Sequence, residues 1–172
     1  RLKELGKVLS VDVTAPDGSP DWSLCYDRNV IGDVADYIVF MGYDQNGVSS
    51  PKEGTTAGCD WVEANIKKFL GQEGVDASKI ILGTPFYTRI WTESNGSVTS
   101  KVVNMNKIAS NLPDGTKTTW DDSLKQNYAE YEKDGQVFPA VYDDQITIWF
   151  EEKTITVQNG ESQKFEMDMP TE

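Results

Sequence analysis

Residues Ile38, Val39, Phe40 and Met41 are apolar without a break, and the run stops on Gly42, Tyr43 and Asp44. A strand with one wet face alternates apolar and polar residues. An unbroken run fits a strand covered on both faces, as in a parallel sheet. Two further segments carry the same theme. Residues 7–15, KVLSVDVTA, alternate and are rich in β-branched residues, and residues 77–87, ASKIILGTPFY, hold a second unbroken run at Ile80, Ile81 and Leu82. Helix patterns lie between them. In YDRNVIGDVAD, Val30, Ile31 and Val34 share one side and Asp27 is the candidate N-cap. In CDWVEANIKKFLGQEG, Val62, Ile66, Phe69 and Leu70 recur at helical spacing. There Asp60 and Glu63 form a variant of the capping box, and Gly71 is the stop. Strand, helix, strand, helix, strand over residues 7–87 predicts parallel βα units and an α/β fold.

The chain changes character after Trp91. A short helical stretch, NMNKIASNL, is followed by segments rich in Thr, Tyr, Val and Trp: KTTWDD, QNYAEYEKDGQVFPAVYDD and QITIWFEE. These predict antiparallel strands, with a hairpin at Asp134-Gly135. Residues 92–152 therefore read as a small α+β insertion on a parallel unit that occupies 1–91. Residues 153–172 are a tail, either a further hairpin turning at Asn159-Gly160 or loose chain.

Charge narrows the partners. With 28 acidic against 16 basic residues, the formal net charge is −12, which repels polyanions and argues against nucleic acid and anionic membrane surfaces. No apolar run reaches the length of a membrane-spanning helix. The chain contains no histidine, so Ser-His-Asp and Cys-His catalysis and His-ligated metal are excluded. Cys25 and Cys59 cannot build a metal cage alone. They form either one disulfide or two buried thiols, and the lack of any further cysteine pattern favours thiols. No cofactor is implied. Chemistry must come from carboxylates, phenols, hydroxyls or backbone.

Ligands of parallel βα folds meet the carboxyl ends of the strands. Tyr43, Asp44, Phe86, Tyr87, Arg89 and Trp91 fall there. Flat aromatic rings cover the apolar faces of pyranoses, while Asp and Arg bond hydroxyls and amides. The competing reading is plain structure: aromatics capping a core, and an ordinary Tyr–Asp hydrogen bond. Trp22, Trp61, Trp120 and Trp149 read as packing residues.

MGYDQ resembles the Met-x-Tyr-Asp motif that ends the sixth strand of glycoside hydrolase family 18 barrels. ILGTPFYTRIW resembles the seventh strand of that family, Gly-x-Pro-Phe-Tyr-x-Arg. The passage SPDWSLCYDRNVIGDVADYIVFMGYD is similar to its cell-wall and spore-associated branch. The resemblance implies a partial (β/α)8 TIM barrel, about strands 5 to 7, with residues 92–150 as the insertion after the seventh strand. It implies hydrolysis of β-1,4-linked N-acetylglucosamine glycans, chitin or peptidoglycan, assisted by the substrate's own acetamide, outside the cell or at the wall or spore. Carried over by position, Tyr43 holds the acetamide and Asp44 contacts the same sugar. Met41 lines the floor, Tyr87 and Arg89 bind neighbouring groups, and Trp91 stacks on a sugar.

Two departures matter. The Asp-x-x-Asp-x-Asp-x-Glu motif that supplies the family's general acid is absent from these residues, and so is the final strand's tryptophan motif. A complete barrel takes about 250 residues. The expectation is therefore a C-terminal part of a larger hydrolase, inactive alone, whose bare edges are covered by the missing barrel half or by self-association. The alternative is a non-catalytic glycan-binding module derived from the same fold.

Overall fold

The structure, a computed structural model, describes residues 2–17, 19–133, 136–142, 145–150 and 153–158. Three parallel strands, β1 (Ser10–Val13), β2 (Tyr37–Met41) and β3 (Ile80–Gly83), stand in the order β1-β2-β3. Helices α1 (Arg28–Val34) and α2 (Cys59–Gly71) make the crossovers. Phe40 pairs with Val13 on one side and Leu82 on the other. The first core lies between this sheet and its helices. Val13, Ile38, Phe40 and Phe69 are fully buried, and the Phe40 ring packs on Phe69 at 5.1 Å and on Trp61 at 6.2 Å.

The helical faces differ from expectation in instructive ways. Asp27 caps α1, accepting from the Val30 N–H at 3.1 Å. The inward stripe of α1, however, is Arg28, Ile31, Gly32 and Ala35, while Val30 and Val34 are more than half exposed. Arg28 takes the inward place because its guanidinium collects the carbonyls of Thr14, Ala15 and Ser23 at 2.9–3.2 Å. It also lies over the Tyr26 and Phe69 rings. Burial lowers its pKa. In α2, Phe69 is buried with Val62 and Ile66 packed beside it, but Leu70 is exposed. The capping box does not form: Gly58 is the N-cap without a side-chain bond, Asp60 accepts from Trp61, and Glu63 pairs with Lys67. The helix does end at Gly71.

β2 is dry on one face. Ile38 and Phe40 are buried against the helices, whereas Val39 and Met41, pointing the other way, are only half-buried. On the neighbouring strand Ile81 is 46% exposed. The expectation of cover on both faces is therefore met on the helix side alone.

The antiparallel sheet has the order β5-β4-β8-β7-β6. Its strands are β4 (Tyr87–Ser94), β5 (Ser97–Asn104), β6 (Thr118–Asp121), β7 (Gln126–Lys133) and β8 (Gln136–Tyr142). A short helix, α3 (Ile108–Asn111), covers one face, where Ile90, Val103, Ile108 and Ala129 form a second, smaller core. The sheet starts at Tyr87, five residues ahead of residue 92, where the change is expected. The register pairs Lys133 with Gln136, and the expected turn at Asp134-Gly135 lies outside the described residues. Finally, β9 (Gln145–Phe150) and β10 (Lys153–Gln158) pair antiparallel, so the first residues of the expected tail are a strand. A turn at Asn159-Gly160 lies outside the described residues. No helix among those residues is long and apolar enough to cross a membrane.

Trp61 is a packing residue, as expected, and lies against the first core. Trp22 and Trp120 are not: they are 71% and 48% exposed. The Trp149 side chain lies outside the described residues. Cys25 and Cys59 are not joined in a disulfide, and Cys25 is exposed rather than buried.

Candidate active site

β2 hands the chain to the site through a position that only glycine fits. The Gly42 N–H donates to the Gly83 carbonyl at 2.9 Å. A Cβ on Gly42 would stand 2.7 Å from Leu82 Cδ1 and 2.9 Å from that same carbonyl. Asp44 then turns the chain with φ +57, a left-handed conformation that Asp tolerates better than most residues and that still carries strain. From the other side β4 brings Tyr87 and Arg89, which by alternation share one face of that strand.

Both converge on one oxygen. The Tyr87 hydroxyl donates to Asp44 Oδ1 at 2.8 Å, and Arg89 Nη2 lies 3.4 Å from the same atom. Arg89 is 8% exposed and its Nη1 donates to Ser100 Oγ at 3.0 Å. The Asp44 side chain is half exposed, so the ion pair is partly screened. Tyr43 meets Tyr87 edge to face at a ring separation of 6.4 Å. Burial, and then the hydrogen bond to Asp44, push the Tyr87 phenol well above its ordinary range, with Arg89 opposing. Tyr87 is therefore a neutral donor across the physiological range. Met41, the last residue of β2 and two positions before Tyr43, is half-buried.

Trp91 does not join this group at an open face. It is fully buried, and its indole N–H donates to the Gly54 carbonyl at 3.0 Å. Stacking on a ligand needs a free ring face, so Trp91 is a packing residue here. Phe86 is 67% exposed.

Sequence alone misses the groups that hold the site in place. Ser100 fixes Arg89. Gln45, Thr55 and Gln126 bind the segment after Asp44 to itself and to β7. Glu53 and Glu93 face each other along the same seam, and the Glu93 carboxyl is raised by its hydrogen bond to Glu53 and by that group's charge. Among the described residues no cluster of three or more His, Cys, Asp or Glu side chains could hold a metal ion.

The family model described as glycosyl hydrolases family 18 matches residues 1–161. The chain belongs to that family. An uncharacterized glycosylase of Bacillus subtilis, YvbX, is 31% identical over 109 residues, covering 63% of this chain and 30% of its own length. YdhD of the same organism, provisionally named a sporulation-specific glycosylase, is 34% identical over 112 residues, covering 63% of this chain and 26% of its own. The crystal structure of YdhD superimposes with a TM-score of 0.72 at 26% identity, over 83% of this chain and 48% of that one. A chitinase from Chromobacterium violaceum superimposes with a TM-score of 0.71 at 25% identity, over 83% and 44%. The fold is thus related to the TIM barrel. The chain spans less than a third of the length of the two curated relatives and under half of the solved ones.

Proposed function

We propose that the three parallel strands are a stretch of (β/α)8 barrel wall, and that the seam beside them binds N-acetylglucosamine glycans of the chitin or peptidoglycan type. The observation that carries this reading is the convergence of Tyr87 and Arg89 on the Asp44 carboxylate beside the Tyr43 ring. One carboxylate, two phenols and a guanidinium at the seam offer donors and acceptors for hydroxyls and an acetamide, with aromatic faces next to them.

In this reading Tyr43 orients the acetamide and Asp44 steadies it. The acetamide oxygen attacks the anomeric carbon as the glycosidic bond breaks, giving an oxazolinium-like intermediate that water reopens. Arg89 and Tyr87 hold Asp44 in the required rotamer. Met41 lines the floor. The names of YdhD and the Chromobacterium enzyme favour a hydrolase of wall, spore or chitin glycan. Leaving-group protonation, a step worth about 10²–10⁴ in rate, needs a general acid, and the motif that supplies it in the family does not occur in these residues. The acid-bearing motif and the cover for the open sheet face are therefore proposed to come from outside residues 1–172. The absence of that motif equally favours a second reading, a glycan-binding module without turnover.

Titration with an N-acetylglucosamine tetramer tests the site. The chain should bind it, and Tyr43→Phe and Arg89→Ala should each weaken binding about tenfold, 1.4 kcal/mol. Equal affinity in all three would remove the site. Measurable turnover of a chromogenic chito-oligosaccharide by the chain alone would contradict the missing acid.

A further inference from the structure

The chain between β2 and α2, residues 45–58, follows directly on Asp44 and is closed upon itself. The Gln45 N–H donates to the Thr56 carbonyl at 2.9 Å, and the Gly58 N–H donates to Gln45 Oε1 at 2.8 Å. Asn46 Nδ2 donates to the Thr55 carbonyl at 2.9 Å. These bonds tie the segment into one unit, and Asp44 is joined to it directly through Gln45. Its docking onto the antiparallel sheet therefore decides where the carboxylate sits relative to Tyr87 and Arg89.

One side chain makes that docking directional. Gln126, the first residue of β7, accepts from the Thr55 hydroxyl through Oε1 and donates to the Ala57 carbonyl at 2.8 Å through Nε2. Thr55 is 4% exposed, and its Oγ1 also accepts from the Ala57 N–H at 3.2 Å. The Cys59 N–H to Leu124 carbonyl bond at 3.3 Å and the Trp91–Gly54 bond support the same junction. We propose that Gln126, through Thr55, is a positioning residue for Asp44: it fixes the 45–58 unit to the sheet and so sets the Asp44–Tyr87–Arg89 geometry. Asp44 holds a left-handed backbone, and such conformations persist only where the surroundings over-determine them. A half-buried amide with two bonds to one loop, one of them to the buried Thr55 hydroxyl, is that kind of constraint.

The inference deepens the glycan reading, but its first test does not need a glycan. Tyr87 reports the geometry, because its hydrogen bond to Asp44 helps hold the phenol un-ionised. Gln126→Leu and Thr55→Val break the tie, and Thr55→Ser keeps the hydroxyl. The Tyr87 ring is followed by carbon NMR against pH, within the range where the far-UV circular dichroism of every chain stays unchanged. In Gln126→Leu and Thr55→Val the phenol should ionise closer to the ordinary value of about 10. In Thr55→Ser it should behave as in the unaltered chain. A merely structural role would lower the melting temperature and leave the Tyr87 titration where it was, and that result overturns the proposal. If Gln126→Leu does not fold, the Thr55 pair decides. In a second arm, tetramer affinity should fall about tenfold in Gln126→Leu and Thr55→Val and hold in Thr55→Ser. Should the unaltered chain bind no tetramer, the glycan reading fails, while the Tyr87 titration still decides the role of Gln126.

Discussion

The parallel and antiparallel sheets solve different problems with similar residues. The parallel strands are four or five residues long and carry their dry face against two helices. Their apolar interior leaves no room for chemistry, which is confined to the strand ends, at Tyr43 and Asp44. The strands β4, β5 and β7 are eight residues long. They bury one face against α3 and put Tyr87, Arg89, Trp91 and Glu93 on the other, along the strand rather than at its end. The site is the seam between the two: a carboxylate from a strand end, a phenol and a cation from a strand face. Neither sheet holds it alone.

The strongest way to break this comparison is to empty the larger core. Phe40 is fully buried among Val13, Ile38 and Phe69, and Phe40→Ala should cost about 3–5 kcal/mol. That approaches the whole stability of many domains, about 5–15 kcal/mol. Urea unfolding followed at Trp61, in the parallel half, and at Trp120, in the antiparallel half, measures both the loss and its spread. Coincident transitions at the two probes mean that the seam couples the sheets into one unit. An early transition at Trp61 alone would show two units that merely touch.

A smaller effect sharpens the same contrast from the helix side. α1 has seven residues, too few to be stable by propensity alone. It depends on its cap and on the Arg28 contacts. Asp27→Ala removes the bond to the Val30 N–H and should cost about 1 kcal/mol, read as a shift of the Trp61 urea midpoint with the slope unchanged. No loss would mean that Arg28 alone holds the helix.

How much of this was written in the sequence follows from the range of each interaction. The βα alternation, the Asp27 cap and the Gly71 end are local, and the chain states them openly. The family motifs at residues 41–44 and 83–89 likewise bring Tyr43, Asp44, Tyr87 and Arg89 together. The inward stripe of α1 is not local: Arg28 displaces the valines because carbonyls from the preceding loop converge on it. Trp91 looks like a ligand platform by position, yet the Gly54 carbonyl from a distant loop turns it into core. The β4–β5 hairpin has a legible signal, Asn95-Gly96, whose φ values of +50 and +74 suit a two-residue turn. The apolar pattern nevertheless places the change of architecture at Trp91. Gln126 carries no local mark, because its partners lie on another sheet's loop.

The finest probe of the seam is its charge. Glu53 rides on the loop after Asp44 and Glu93 on β4, so their like charges oppose docking of the loop on the sheet. The hydrogen bond between them holds the Glu93 carboxyl protonated above its ordinary value of 4.5, and the Glu53 charge adds to this, with a further push from Glu130. A carboxyl whose folded pKa is raised binds its proton more tightly in the folded chain. Its stabilising contribution is therefore complete below the unfolded pKa and disappears as pH rises through the folded one. Melting temperatures between about pH 4 and pH 7 should fall more steeply for the unaltered chain than for Glu93→Gln, which keeps the hydrogen bond and cannot ionise. Every other acid is common to both chains, so the difference in slope isolates this pair. Parallel slopes would mean that the loop and the sheet meet without feeling the two carboxylates, leaving the hydrogen bonds of Gln126 and Trp91 to hold the seam.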